Sequence, residues 1–281
     1  MFADGTFADG TSAVRFLWSG FYGPNLCAFR ALRYNEGNIP TQANRKAMDE
    51  HIIQQLNALN RAFYDAFAAS FAASRGASEP GLERLLAGLP TGTRVLDLGC
   101  GQGRVVNLLP PGCTYTGVDF SAGMLAEARK RAPQARWVQA DLLAPGWEEQ
   151  VGSPWDFILL RAVLHHIPAY TARLRLIQRA ARLLAAGGSL ALANWQFLRL
   201  PRLRQRIRPW TEIGLEPAQL EEHDYLLDWR REGEGLRYVH WIDEDETRRL
   251  LNDAGLVLCE LFYADGHDQA LTLYARAQAA L

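Results

Sequence analysis

The sequence of this 281-residue chain predicts an α/β fold with a doubly wound, mostly parallel sheet. Short apolar runs alternate with helical patterns between residues 94 and 194, as expected of βαβ units. A glycine-rich turn follows the first run, and several later runs end in aspartate. Because the carboxyl ends of parallel strands meet along one sheet edge, these polar ends predict a ligand-binding crevice there.

The first predicted strand, Arg94–Leu98, leads directly into a cluster of three glycines, Gly99, Gly101 and Gly103. Its branched apolar residues are typical of a strand buried on both faces. Glycine allows the chain to turn sharply and a ligand to lie against the main chain. The apolar run from Val105 to Leu109 predicts a helix whose free N-terminal amides point at the same crevice.

The spacing of this turn differs from that of a dinucleotide site. The dinucleotide fingerprint G-x-G-x-x-G ends in a glycine that packs helix on strand, and Arg104 stands at that position here. The carboxylate of Asp97 would repel a negatively charged pyrophosphate, but it would attract a ligand with an ammonium group. S-adenosylmethionine has an ammonium, a sulfonium and no phosphate, so it fits this turn better.

Two further strands also end in carboxylates. The strand 114–119 ends in Asp119, about twenty residues after the glycine turn, where an acidic side chain accepts hydrogen bonds from ribose hydroxyls. The strand 137–141 ends in Asp141, which is placed to accept from an adenine amino group, with Leu142 against the ring.

The remaining elements complete the alternation. Ser121 caps a helix that carries Met124 on its apolar face. The later elements are a strand over 155–160, a helix over 174–184, a fifth strand over 189–194, a helix over 244–254, and two terminal strands over 256–263 and 270–276. The turn between the two terminal strands predicts an antiparallel pair at one sheet edge.

These motifs resemble the class I S-adenosylmethionine-dependent methyltransferases. The matching segments are VLDLGCGQG, GVDFS, QADLL, WDFILLRAVLHHI and LLAAGGSLALANW, in the order and spacing of that family. The resemblance covers roughly residues 60 to 277. It implies a Rossmann-like sheet of seven strands with one antiparallel edge strand, and S-adenosylmethionine as the cofactor.

The resemblance also implies the residues of the cofactor site. Asp97, Gly99 and Gly101 would hold the methionine part, Asp119 the ribose, and Asp141 with Leu142 the adenine. Arg161 would lie near the sulfonium. The other implied cofactor residues are Tyr64, Arg75, Cys100, Phe120 and Met124. Tyr64 and Arg75 lie near the end of an N-terminal helical segment that would fold over the cofactor as a lid.

A narrower resemblance is to the tRNA wobble-uridine carboxymethyl methyltransferases and their bacterial relatives. It rests on the segments 60–64 and 224–230, on RYVHW at 237–241, and on Phe67, Phe71, Ser74 and Arg75. It implies esterification of a 5-carboxymethyl uridine in tRNA, and its eukaryotic members use a small activating subunit. The chain departs from the pattern of that family at two places. The family has a Pro-Trp pair soon after the position of Arg75, where this chain has the segment 76–80. The family usually has a Glu-Gln pair after the tryptophan of the fifth strand, and after Trp195 this chain keeps only the glutamine, Gln196.

The chemistry of the methyl acceptor determines which side chains are needed to bind it. A carboxylate acceptor needs a cation to hold it, whereas an amine or phenol needs a base. Arg237, with Tyr238 and His240, is the predicted grip on the acceptor, and Arg161 is a further contact. His165 and His166 follow the fourth strand and are the candidate bases or orienting groups; no metal site is predicted, because adjacent histidines rarely ligate together.

An arginine-rich run opens the segment after the fifth strand. Its members are Arg199, Arg202, Arg204, Arg206 and Arg208. Arginine forks match phosphate and carboxylate groups, so the run predicts either contact with an RNA backbone or a solvated face paired with nearby glutamates. The aromatic residues of the same segment would stack RNA bases or line a pocket for a small metabolite.

Composition limits the remaining possibilities. The net charge of −1 and pI near 6.6 give no global attraction to nucleic acid. The four cysteines are scattered, as in a reduced cytoplasmic protein, and no apolar run reaches the ~18 residues that a membrane span needs. We expect a poorly ordered extension over 1–47, lid helices over 48–90, and a catalytic domain over 91–281 with an acceptor-side insert at about 198–243. Met48 is an alternative natural start, which the intact mass of the native protein would test.

Three functions remain open at this stage. The first is methylation of a carboxylate or modified base of tRNA. The second is O- or N-methylation of a small molecule, with His165 or His166 assisting. The third is a non-catalytic subunit that binds the cofactor for a partner. The complete acidic set Asp97, Asp119 and Asp141 argues against the third, because a degenerate site would be free to lose it.

Overall fold

A computed structural model of the chain describes residues 47–73, 79–230 and 233–279, without the side chains of 68–73. The predicted N-terminal extension, apart from its last residue, and the candidate cofactor residue Arg75 lie outside these ranges. None of the described helices combines the length and the apolar character that crossing a bilayer requires.

Seven strands form the central sheet, in the order β3-β2-β1-β4-β5-β10-β9. Their bounds are β1 Arg94–Leu98, β2 Thr114–Asp119, β3 Arg136–Gln139, β4 Trp155–Arg161, β5 Leu184–Trp195, β9 Leu256–Ala264 and β10 Thr272–Ala279. Strands β1 to β5 pair in parallel, and β10 runs antiparallel between β5 and β9. The predicted fold class is confirmed.

The sheet is buried on both faces because its central strands carry apolar residues at most positions, with Asp97 as a buried charged exception on β1. On β1 and β4, Leu96, Leu98 and Ile158 face one apolar cluster, and Val95 and Phe157 face the other. This alternation follows from the two-residue period of a strand.

Helices cover the sheet and its carboxyl edge. Their bounds are α1 Glu50–Ala73, α2 Pro80–Ala87, α3 Ala122–Arg131, α4 Trp147–Val151, α5 Tyr170–Ala181, α6 Pro201–Arg204 and α7 Glu244–Asp253. Ser121 caps α3 by accepting a hydrogen bond from the amide of Met124, as predicted.

The helix predicted after the glycine turn is only a short 3₁₀ helix, Arg104–Leu108. Val105 and Val106 are β-branched and disfavour an α-helix, and two prolines follow at 110 and 111. The predicted helix is therefore present, but as a 3₁₀ helix and not as an α-helix. The fifth strand begins five residues earlier than predicted, at Leu184, and includes the Gly187-Gly188 pair.

The segment after β5 forms a second, antiparallel sheet. Its strands are β6 Ile207–Arg208, β7 Asp224–Trp229 and β8 Gly235–His240. Helix α1 packs against β8, where Ile52 and Leu56 form a cluster with Leu215 and Tyr238. Helix α1 and this small sheet together cover the carboxyl ends of the central strands.

Candidate active site

A cavity of about 650 Å³ lies at the carboxyl ends of β1 to β4, beneath α1. Most of the predicted cofactor residues line it. They are Tyr64, Gly99, Cys100, Gly101, Asp119, Phe120, Met124, Asp141, Leu142 and Arg161. The cavity is therefore called the cofactor cavity below.

The glycine turn wraps around the end of β2. The amides of Gly99 and Cys100 donate to the carbonyl of Val118 at 2.8 and 3.0 Å, and the amide of Gly101 donates to Asp119 Oδ2 at 2.8 Å. Gly99, Gly101 and Gly103 all have positive φ, between 54° and 75°. Side-chain-bearing residues rarely adopt this conformation, so the turn depends on glycine.

Two alanine substitutions in this turn should separate ligand binding from folding. A methyl group at Gly101 meets no protein atom within 4 Å, whereas one at Gly103 would lie 2.1 Å from the Trp137 ring. Each should lose about 1–2 kcal/mol of unfolding free energy through its positive φ. Gly103→Ala should lose about 1–3 kcal/mol more through overpacking.

For Gly101→Ala we expect affinity for S-adenosylmethionine to fall by about tenfold, because the methyl group takes space in the cavity. Urea unfolding and titration calorimetry measure the two effects. Equal destabilisation of both variants would contradict this description of the turn.

Asp97 lies within β1, is 1% exposed and is not among the residues that line the cofactor cavity. Its Oδ2 accepts a hydrogen bond from the Tyr115 hydroxyl at 2.6 Å, and its Oδ1 has no partner among the described residues. Burial raises the pKa of this carboxyl to about 6, although the Tyr115 hydrogen bond opposes the shift. A buried oxygen without a partner is costly, and an ammonium group would satisfy it directly or through one water. The residues present therefore fit S-adenosylmethionine.

The raised pKa of Asp97 makes cofactor binding pH-dependent. Only the ionised carboxylate attracts an ammonium group, so affinity should fall as pH falls through about 6. A carboxyl with an ordinary pKa would lose affinity only near pH 4. Calorimetry at pH 5 to 8 measures this, and binding at pH 6 should release protons because the ligand charge favours the ionised form. A flat profile between pH 5 and 8 would be the contrary result.

Asp119 and Asp141 are both held by the main chain. Asp119 accepts from the amides of Gly101 and Ser121 at 2.8 and 2.9 Å, and burial raises its pKa. Asp141 accepts from the amide of Leu143 at 2.9 Å. A carboxylate oxygen has two lone pairs, so both side chains keep acceptor capacity for a ligand.

Arg61 is a residue of this rim whose role sequence reasoning missed. Its guanidinium donates to Asp141 Oδ2 at 2.6 Å and lies 5.3 Å from the centre of the Phe120 ring. Arg61 belongs to the segment 60–64 that carries the narrower resemblance, but local spacing could not show that α1 crosses over Asp141. A ligand amino group at Asp141 would share the carboxylate with Arg61.

A second cavity of about 410 Å³ adjoins the first. Arg161, Ala162 and His166 line both cavities. The second cavity is called the acceptor cavity below. It also contains the predicted residues His165 and Arg237, together with Arg202, Arg206, Trp195 and Trp229. The structure thus brings together four of the six predicted acceptor-side residues. Tyr238 lies outside the cavity, on the opposite face of β8 from Arg237, and its hydroxyl donates to Asp224 at 2.7 Å.

Arg237 is the most buried cation of the acceptor cavity, at 5% exposed. Its guanidinium carbon lies between three aromatic rings, 5.2 Å from Phe63, 5.1 Å from Trp195 and 5.7 Å from Trp229. Burial lowers the pKa of Arg237, and interaction with Tyr64 opposes this. An anion in the cavity would compensate the desolvated charge.

The other arginines of the acceptor cavity differ in their partners. Arg161 donates from Nε to Glu79 Oε2 at 2.8 Å, and the pair is mostly buried. Burial alone would lower the pKa of Arg161, but Glu79 raises it above the ordinary value. Arg202 and Arg206 have no acidic partner among the described residues. Their charges are available to an anion.

His166 forms the wall between the cavities. Its Nε2 lies 2.6 Å from the Tyr64 hydroxyl, and its ring centre lies 4.2 Å from that of the buried His165. Tyr64 lies on α1, so this helix contacts the boundary between the two cavities directly.

His240 lies outside both cavities, in contrast to its predicted contact with the acceptor. Its Nδ1 lies 2.7 Å from Asp224 Oδ1, and its Nε2 lies 2.8 Å from Glu246 Oε2 and 3.1 Å from Arg173. The reason is the alternation of β8: Arg237 faces the cavity, so the even-numbered His240 faces the other side. His240 belongs to a buried charge network.

The arginine-rich run divides between its two predicted roles. Arg208 pairs with Glu212 at 2.7 Å, as the solvated-face interpretation expects, and Arg199 lies over the Tyr263 ring at 4.0 Å. Arg202 and Arg206 line the acceptor cavity instead, and Arg204 is exposed beside them.

A family model described as a methyltransferase domain matches residues 68–261. The chain is 42% identical over 113 residues to the trans-aconitate 2-methyltransferase of Paracidovorax citrulli. This match covers 38% of this chain and 42% of that protein. The chain is 30% identical over 132 residues to the tRNA (carboxymethyluridine(34)-5-O)-methyltransferase of Arabidopsis thaliana, covering 47% of this chain and 31% of that protein. The chain thus spans less than half the length of these curated relatives.

The architecture is also found in solved structures. A crystal structure of an S-adenosylmethionine-dependent methyltransferase from Methanosarcina mazei shares this fold with a TM-score of 0.56. The two chains are 23% identical, and the match covers 69% of this chain and 95% of the other.

Proposed function

The chain belongs to the methyltransferase-domain family, and from that premise we propose that it transfers a methyl group from S-adenosylmethionine to a carboxylate of an anionic acceptor. One observation carries this proposal. The acceptor cavity is lined by four arginines, Arg161, Arg202, Arg206 and Arg237, and it meets the cofactor cavity at Arg161, Ala162 and His166.

The acidic groups of the acceptor cavity, Glu79, Asp228 and Asp265, are one fewer than its four arginines. Glu79 accepts from Arg161, Asp228 accepts from Arg230 at 2.7 Å, and Asp265 accepts from the Tyr274 hydroxyl at 2.6 Å. Each acid is therefore already engaged within the protein. The surplus positive charge favours an acceptor that is itself negative.

The side chains act on the acceptor mainly by binding and orienting it. When bound, S-adenosylmethionine would supply an electrophilic methyl carbon. A carboxylate oxygen would take this methyl group as the sulfur–methyl bond breaks and S-adenosylhomocysteine leaves, with no proton to remove. Arg237, with its planar fork, holds the carboxylate, and the rings of Trp195 and Trp229 exclude water around it. Holding the reacting groups in this orientation supplies much of the acceleration.

A base is not required for this reaction, which agrees with the position of the histidines. His166 Nε2 already contacts the Tyr64 hydroxyl, and His165 is 1% exposed. O- or N-methylation with a histidine base is therefore less well supported than ester formation.

A small polycarboxylic acid is the acceptor that the cavity supports best. The cavity of about 410 Å³ suits a small acid, and several arginines would bind several carboxylates. The names of both relatives describe acceptors that carry a carboxylate, trans-aconitate and carboxymethyluridine. Carboxymethyl tRNA is the second candidate, favoured by the exposed Arg202 and Arg204 beside the cavity.

Methyl-labelled S-adenosylmethionine tests both acceptors. The protein is incubated with trans-aconitate, with related di- and tricarboxylates, and with total tRNA, and the label is followed with and without ribonuclease. Base-labile label identifies a methyl ester, and ribonuclease sensitivity assigns it to RNA. Label that resists base would contradict carboxylate methylation and favour an amine acceptor.

A further inference from the structure

Asn60 lies on α1 between the two cavities and is 6% exposed. Its side chain lines the cofactor cavity, but the sequence assigns it no role. A buried amide is stable only when its donor and acceptor both have partners. The partners of Asn60 belong to two separate parts of the site.

The amide of Asn60 bridges the cofactor side to the acceptor side. Its Nδ2 donates to the carbonyl of His166 at 3.0 Å, and its Oδ1 accepts from the amide of Tyr238 at 2.8 Å. His166 forms the wall shared by the cavities, and Tyr238 follows Arg237 on β8. Asn60 therefore connects the wall of the methyl-donor site to β8, beside the longer direct approach of His166 Nδ1 to the Tyr238 carbonyl at 3.4 Å.

Tyr64 reinforces this bridge one helical turn later. Residues four apart lie on the same face of a helix, so Tyr64 and Asn60 face the same groups. The Tyr64 hydroxyl contacts His166 Nε2 at 2.6 Å, and Tyr64 also interacts with Arg237. Movement of His166 in response to a ligand would thus be carried to β8 through α1.

We propose that Asn60 is a positioning residue that couples occupancy of the cofactor cavity to the order of β8 and so to acceptor binding. This proposal rests on the proposed function for the identity of the acceptor, but not for the bridge itself. A bound cofactor fixes the His166 wall, Asn60 transmits this to the Tyr238 amide, and Arg237 is then held in place for a carboxylate.

The test measures a coupling factor, the ratio of the trans-aconitate dissociation constants without and with S-adenosylhomocysteine. Allosteric coupling in proteins is typically about 5- to 150-fold, and we expect the wild type in that range. Asn60→Ala removes the bridge. Asn60→Asp has the same shape and still accepts from the Tyr238 amide, but it cannot donate to the His166 carbonyl. It therefore removes one of the two hydrogen bonds and keeps the other.

Gln55→Ala is the matched control. Gln55 lies on the same helix and also ties it to the insert, by donating to the carbonyl of Ile213 at 2.8 Å, but it touches neither cavity. Both Asn60 variants should reduce the coupling factor to within about twofold of one, and Gln55→Ala should retain the wild-type value. An unchanged factor in Asn60→Asp, or an equal loss in Gln55→Ala, would overturn the proposal.

A second measurement needs no acceptor. Hydrogen exchange of the Tyr238 amide should slow when S-adenosylhomocysteine binds to the wild type and to Gln55→Ala, but not to the Asn60 variants. If wild type fails to bind trans-aconitate but shows this slowing, the acceptor assignment fails and the role of Asn60 stands. Equal slowing in all variants, or none in the wild type, would refute it.

Discussion

Asp97→Asn is expected to weaken the binding of S-adenosylmethionine by about 100-fold. The substitution keeps the shape of the side chain but removes the charge that an ammonium group would meet, and loss of a buried charge partner costs about 3 kcal/mol or more. Asp97 is nearly inaccessible, so solvent does not screen the interaction. Titration calorimetry at pH 7.5 measures the loss.

The stability of the same variant provides the control. Burial raises the pKa of Asp97 from 3.8 to about 6, so the ionised carboxylate destabilises the free protein at neutral pH by about 3 kcal/mol. Neutral asparagine should leave the free energy of unfolding unchanged or higher while affinity falls. Tyr115→Phe, which removes only the hydrogen bond to Asp97, should weaken binding far less. Near-normal affinity in Asp97→Asn would remove this residue from the cofactor site.

Arg237→Met should reduce turnover of a carboxylate acceptor by about 100-fold, while affinity for S-adenosylmethionine changes by less than about threefold. A hydrogen bond to a buried charged group is worth about 1.5–3 kcal/mol, and Arg237 lines only the acceptor cavity. Methionine fills similar space among the rings of Phe63, Trp195 and Trp229. Replacing a buried charge by an apolar side chain of this size is often tolerated in folding.

Two further variants sharpen this test. Arg237→Lys keeps the charge but not the fork, and should restore part of the turnover. Arg199→Met removes an arginine of the same insert that lies over Tyr263 and lines neither cavity, so its turnover should match the wild type. Steady-state kinetics with trans-aconitate distinguish these cases. Wild-type turnover in Arg237→Met would exclude this residue from the acceptor site.

The central sheet could be predicted because its signals are local. The strand, the glycine turn and Asp97 lie within ten consecutive residues. Asp119 is the last residue of β2, and Asp141 follows the end of β3 by two residues. Parallel topology then brings these ends together without further information. The same locality explains why most of the predicted cofactor residues line one cavity.

The contacts made by α1 and the insert could not be predicted in this way. Glu79 meets Arg161 across 82 positions, Arg61 meets Asp141 across 80, and Asn60 meets Tyr238 across 178. No spacing rule connects such distant residues. His240 illustrates a different limit: had the RYVHW segment been recognised as a strand, its alternation would have placed His240 and Arg237 on opposite faces.

The charge network around His240 has a consequence for how this scaffold can change its acceptor. Arg173 on α5 donates to Glu246 on α7 at 3.0 Å and to Glu221 of the insert at 2.6 Å. Arg173 and Glu246 therefore belong to the sheet scaffold, whereas Glu221, Asp224 and His240 belong to the insert. Exchanging the insert for one from another protein would leave the buried Arg173 with Glu246 but without Glu221, so the acceptor module and these two helix positions must be inherited or engineered together.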